Sequence, residues 1–177
     1  MATTSASEHL ALVGLMGSGK SSVGRVLADR LERILVDTDH QIESVTGRSI
    51  SELFAVEGEA AFRRYELLSL RRALARTEPI VVATGGGVVT TAEARRALEL
   101  ESRTVWLRAE PAVLAERLDG DRSRPLLMGR DPVDALAELH RHRGPLYEQV
   151  ADVVVDVDHL DVVQVADQVM TVLGWQP

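Results

Sequence analysis

The chain has 177 residues, 45% hydrophobic and 27% charged, with a formal net charge of −7. That length suits one domain with a sizeable core, and the negative charge excludes bulk attraction to nucleic acid or acidic lipid. Cysteine is absent, which excludes disulfides and thiolate metal sites.

The first residues, MATTSASEH, lack the basic segment and apolar stretch of a signal peptide. No apolar run approaches the roughly 20 residues that span a bilayer. A cytoplasmic protein is expected, with residues 1–8 as a disordered tail. Residues 10–14 (LALVG) read as a buried strand, and residues 18–31 as a helix with Val23, Leu27 and Leu31 on one stripe. Between them, residues 14–21 spell G-L-M-G-S-G-K-S. This fits G-x-x-x-x-G-K-[ST] in the strand-to-helix setting the motif requires. Around Gly17, Ser18 and Gly19 the backbone N–H groups can turn inward on phosphates, and the helix start adds its positive end. Lys20 can reach the β- and γ-phosphate oxygens, Ser21 offers a hydroxyl to Mg²⁺, and Ser22 joins the ATP-binding set. Of the 20 basic residues Lys20 is the one lysine. A compact ammonium suits a narrow phosphate cradle better than a planar guanidinium.

Residues 33–37 form a second expected strand, ending in Asp37-Thr38-Asp39. A P-loop needs an acidic partner for its metal, and Mg²⁺ takes oxygen ligands while keeping several waters. Asp37 is therefore the metal candidate beside Ser21. Asp39 falls where the chain turns and is expected to face an acceptor pocket. Its carboxylate can accept hydrogen bonds from neighbouring hydroxyls and would repel a phosphate, which favours a hydroxylated acceptor over a nucleoside monophosphate. Helix capping competes with both readings, for Asp37 as for Asp39: Thr38 and Gln41 fit a capping box, and Asp39 can itself be an N-cap.

Helical patterns cover 40–45 and 49–76. Within FRRYE (62–66), Arg63 and Arg64 point about a quarter-turn apart, so at most one faces a given site, and Glu66 can steady Arg63. By itself such a pair is an ordinary solvated face. The third strand, 79–87, ends in Gly85, Gly86 and Gly87. These remove side chains where a ligand approaches the backbone, or simply make a tight turn. Thr84 is a candidate to hold a metal-bound water. A helix over 91–99, a strand over 103–109 and a helix over 111–118 follow. Residues 119–132 are polar and rich in Gly and Pro, and read as a mobile lid. Arg124, preferred over Arg122 and Arg130, is expected to close over ATP and offset charge on the transferred phosphoryl group. A helix over 133–150 carries Arg143 next to an expected break at Gly144-Pro145. A strand over 152–157 and a helix with Val162, Val165, Val169 and Val172 on one stripe complete the chain. Alternating strands and helices predict an α/β fold with a parallel sheet covered on both faces, its ligands beyond the carboxyl ends of the strands.

Taken in order, LVGLMGSGKSSVGRVLA, DTD, TGRSISELFAVEGEAAFRRYE, ATGGGVV, RPLL and RGPLYEQVA resemble the shikimate kinase family over nearly the whole chain. The resemblance implies one three-layer P-loop kinase domain with a five-stranded parallel sheet in the order 2-3-1-4-5. It also implies transfer of the ATP γ-phosphoryl group to the 3-hydroxyl of shikimate with Mg²⁺. By the same resemblance Asp39 holds the shikimate hydroxyls, Arg63, Arg143 and the backbone of Gly85–Gly87 hold the acceptor, and Arg124 belongs to the lid. A polyol acid needs acceptors for its hydroxyls and a cationic fork for its carboxylate, which Asp39, Arg63 and Arg143 supply. Asp39 either takes the hydroxyl proton or only positions the acceptor. One departure is His159, where many members carry an arginine that stacks on adenine. A monomer is expected. The rivals are a kinase of gluconate-type sugar acids and a non-catalytic nucleotide switch. A GTPase N-K-x-D motif is impossible here, because the one lysine lies in the P-loop.

Overall fold

The computed structural model describes residues 8–119 and 129–175. Five parallel strands, β1 (His9–Val13), β2 (Leu35–Asp37), β3 (Val81–Ala83), β4 (Ser102–Arg108) and β5 (Val153–Asp156), form one sheet in the order β2-β3-β1-β4-β5. Register runs Leu10 to Val81 on one side of β1 and His9 to Ser102 on the other. The expected class and strand order are thus observed. Strand β1 is central, with Leu10, Ala11, Leu12 and Val13 fully buried, as its unbroken apolar sequence requires in a sheet covered on both faces. The chain order reverses on either side of β1, so the crevice beyond its carboxyl end is the switch point at which α/β folds bind ligands. The P-loop leaves the sheet there.

Helices α1 (Lys20–Arg30) and α7 (Val162–Leu173) pack together. Helices α3 (Ile50–Leu74), α4 (Ala92–Glu101) and α6 (Pro132–Val150) contact one another in series, with α5 (Pro111–Arg117) against α6. Helix α2 (Thr38–Thr46) packs on α3 beside the end of β2. Among the described residues no helix is long and apolar enough to cross a membrane.

Several boundaries differ from expectation. The third strand stops at Ala83, because Thr84 to Gly87 turn away from the sheet to form a wall of the site. The predicted helix over 49–76 is two helices joined at Gly58 (φ 80°, ψ 169°), a conformation open to glycine at little cost. Its start is fixed by a capping box in which Ser49 Oγ accepts from Glu52 N and Glu52 Oε2 from Ser49 N. The expected break at Gly144-Pro145 does not occur: α6 runs through Pro145 to Val150. Proline removes one N–H donor, but Arg143 and Tyr147 on either side are buried and anchored to one carbonyl, which holds the helix in place. On α7, Val165 and Val169 are buried with Met170 and Leu173, whereas Val162 and Val172 lie at the helix ends and stay partly exposed.

Candidate active site

The P-loop side is built from contiguous residues. Gly19 takes a left-handed conformation (φ 91°) and its carbonyl accepts from Val23 N at 2.8 Å, so α1 begins at Lys20. Its first turn holds no acidic residue, which leaves the positive helix end available to an anion. Lys20 is buried. Its Nζ donates to the carbonyls of Gly14 and Leu15, each at 2.9 Å, and to Ser18 Oγ at 3.5 Å. The ammonium is thereby folded back over the loop it belongs to.

Asp37 joins this side to the next. Its Oδ2 accepts from Ser21 Oγ at 2.5 Å, and its Oδ1 accepts from the backbone N–H groups of Asp39 at 3.1 Å and His40 at 3.2 Å. Asp37 is therefore the N-cap of α2, which corrects the capping expectation for Asp39 and for Thr38 with Gln41. Thr38 instead accepts from Gly85 N at 3.0 Å, and Gln41 accepts from Ser69 Oγ at 2.6 Å. With capping assigned to Asp37, the Asp39 side chain lines the cleft two positions further on.

The opposite wall comes from α3, the glycine turn and α6. A side-chain carbon on Gly85 would run into Glu66 Oε1 and Asp39 Oδ1, and one on Gly87 into the Arg63 guanidinium. The glycines are thus required by close packing of charged side chains on the turn. Arg63 Nη1 donates to Glu66 Oε2, while its Nε and Nη2 donate to Glu59 Oε1 at 3.2 and 2.7 Å. The Phe54 and Phe62 rings lie 5.9 and 5.5 Å from the guanidinium carbon. Burial works to discharge Arg63, but Glu66 and Glu59 outweigh it and raise its pKa. Arg64 is exposed, so of the arginine pair only Arg63 faces the site. Arg143 is 5% exposed and donates from Nη1 to Gly86 O at 3.0 Å, and Tyr147 Oη donates to the same carbonyl at 2.5 Å. Burial pushes the Tyr147 phenol up, so it stays a neutral donor.

Glu66 carries a strongly perturbed carboxyl. Burial raises its pKa to about 7, Arg63 pulls the other way, and Asp39 adds to the rise. Its spacing in the sequence marks it only as a support for Arg63.

These walls enclose one cleft of about 570 Å³. Gly17, Gly19, Lys20, Ser21, Ser22, Asp37, Asp39, Arg63, Gly86, Gly87 and Arg143 all line it, with Ser18 buried beneath the loop and Gly85 beneath Asp39. Thr84 also lines it, but its hydroxyl donates to Leu12 O at 2.8 Å. Phe54, Phe62 and Glu66 line the cleft as well. Arg117, at the end of α5, reaches it and donates from Nη2 to Val157 O at 2.5 Å. No motif marked Arg117, because its place depends on α5 lying alongside Gly17. His159 lines a separate hollow with Arg108, His140 and Asp158. The predicted lid cation Arg124 lies outside the described residues, as does Arg122. Arg130 is described and pairs with Glu138.

The geometry is that of a phosphate loop facing a pocket lined by carboxylates and guanidinium groups. A family model described as shikimate kinase matches residues 16–174. The shikimate kinase of Dechloromonas aromatica is 49% identical over 152 residues, covering 86% of this chain and 82% of that one. That of Symbiobacterium thermophilum is 44% identical over 164 residues, covering 92% and 94%. The structure of shikimate kinase from Acinetobacter baumannii in complex with shikimate superposes with a TM-score of 0.91 at 36% identity, covering 94% of this chain and 93% of that one. A match running from the P-loop through the last helix, over both walls of the cleft, places this chain in the shikimate kinase family.

Proposed function

We propose that this cleft transfers the γ-phosphoryl group of ATP to the 3-hydroxyl of shikimate, giving shikimate 3-phosphate and ADP for aromatic amino-acid biosynthesis. One observation carries the reading. The loop that can cradle a polyphosphate and the pocket that can grip a hydroxylated carboxylate line a single cleft, so donor and acceptor are held within reach of each other.

Phosphoryl transfer passes through a loose transition state, so positioning and charge neutralisation supply most of the rate. The backbone of Gly17 to Gly19 and the start of α1 bind the β-phosphate, with Ser22 at the same end. Lys20 exchanges its carbonyl partners for phosphate oxygens and follows the charge as it moves to the leaving group. Arg117 adds a cation at the nucleotide end. Arg124 is assigned by resemblance to a lid over the phosphates formed within 119–132. On the acceptor side Asp39 accepts from the shikimate hydroxyls and orients the one that attacks. Arg63 and Arg143 bind the carboxylate, assisted by the glycine-turn backbone. Phe54 and Phe62 give the carbocycle an apolar wall.

Ser21 Oγ and Asp37 Oδ2, 2.5 Å apart at the rim of the cleft, are hard oxygen donors of the kind Mg²⁺ takes, so the residues present fit that ion. When bound, it would neutralise charge on the β- and γ-phosphate oxygens. Asp37 is already held by two backbone N–H groups, so its carboxylate is oriented before any ion arrives. We further assign the whole chain to one domain acting as a cytoplasmic monomer.

Calorimetric titration of shikimate, with gluconate as control and ADP release as the rate readout, tests the reading. Saturable shikimate binding and acceptor-stimulated ADP release are expected. Preference for gluconate would move the chain to the sugar-acid kinases, and no release with any acceptor would restore the nucleotide switch.

A further inference from the structure

The acceptor wall sets Asp39 and Glu66 beside Arg63 and Arg143, and Glu59 pairs with Arg63 from the same helix as Glu66. Glu59 and Glu66 both bind Arg63, but in different settings. The Glu66 side chain is 3% exposed and that of Glu59 is 53% exposed. Glu59 Oε1 receives both N–H groups of one guanidinium edge, Nε at 3.2 Å and Nη2 at 2.7 Å. Such an edge is how arginine clamps a carboxylate with two parallel hydrogen bonds. Glu66, by contrast, is held in the interior against Nη1. Only Glu59 can leave into water, where its charge is solvated. It follows directly on Gly58, whose φ of 80° and open surroundings make a joint in α3.

We infer that Glu59 is a built-in competitor for the acceptor's carboxylate: it occupies the Nε/Nη2 edge of Arg63 while the pocket is empty and is displaced when an acidic acceptor binds. The inference rests on the proposed role of Arg63 in gripping that carboxylate. Its consequence is selectivity. An acid repays the loss of Glu59 by replacing it on the same edge, whereas a neutral polyol offers only uncharged oxygens, weaker partners for a guanidinium, and leaves the pair closed. Glu59 thus sets acceptor affinity and touches no reacting atom.

A steadying role and a competing role predict opposite signs, which makes the test direct. Shikimate and its neutral carboxamide analogue are titrated by calorimetry into the wild-type chain, Glu59→Gln and Arg63→Ala, with a thermal melt to verify folding. Removal of an exposed ion pair should tighten shikimate binding to Glu59→Gln by about two- to fivefold, with carboxamide and ATP affinities unchanged. Unchanged or weaker shikimate binding to Glu59→Gln overturns the inference, because Glu59 would then only steady Arg63. Equal tightening of the carboxamide also overturns it, because no carboxylate exchange would be involved. If Arg63→Ala keeps wild-type shikimate affinity, the acceptor-pocket reading itself fails, and the inference with it.

Discussion

The two ends of the cleft are built on opposite plans. The nucleotide end is local: within Gly14 to Ser21 the groups proposed to bind phosphate are backbone N–H groups, one ammonium and one hydroxyl, placed by a strand, a turn and a helix start. The acceptor end is assembled from α2, α3, the glycine turn and α6, and consists of charged side chains pressed together out of water. A backbone cradle tolerates variation in the residues around it. A cluster of buried charges tolerates little, since each member is balanced by another.

The contrast yields predictions that descend in size. Lys20→Ala should lower turnover by about 100-fold or more, about 3 kcal/mol of transition-state stabilisation, with a melting temperature close to wild type. A melting temperature that collapses while turnover per folded molecule survives would break the contrast, since the lysine would then be a structural member of the loop.

Glu66 should make the acceptor end pH-sensitive. Its carboxyl sits near 7 in the folded chain, against 4.5 ordinarily, so the folded state holds a proton that the unfolded state has released. That contribution is fully present below about 4.5 and is lost as pH rises through about 7, for roughly 3 kcal/mol at most. Urea unfolding of the wild type and of Glu66→Gln at pH 5 and pH 7.5 should show the wild type losing more stability than the variant across that window. Parallel behaviour of the two would mean that Arg63 keeps Glu66 ionised throughout.

Gly87→Ala places a methyl against the Arg63 guanidinium. At φ −100° the backbone of Gly87 accepts alanine without strain, so the effect is confined to displacement of Arg63 from its pinned position. Overpacking of this kind costs about 1–3 kcal/mol. Calorimetry should show it as weakened shikimate binding, with ATP binding preserved. Tyr147→Phe is the mildest. Gly86 O keeps its bond from Arg143 and loses the phenol donor, so a thermal melt should report a loss of about 1 kcal/mol and little change in KM for shikimate.

How much of this was legible before folding follows the same divide. The P-loop, the solitary Lys20, the aspartate pair at the end of β2 and the alternation of strands with helices are all read from short windows, and each stands in the structure where those windows put it. Their physics is local: backbone dihedrals, one strand and the first turn of one helix. The family resemblance extended that reading to Arg63, Arg143 and the triple glycine, which no local rule distinguishes from a solvated helix face or a plain turn.

Tertiary packing decided the rest. It buried Glu66, brought Arg117 to the cleft, pinned Gly86 O between Arg143 and Tyr147, and carried α6 through Pro145. Desolvation explains why these features were invisible in the chain alone. The raised pKa of Glu66 and the need for bare glycines beside it depend on which distant elements exclude water from that corner, and a stretch of sequence specifies its own hydrogen bonds long before it specifies who shares its interior.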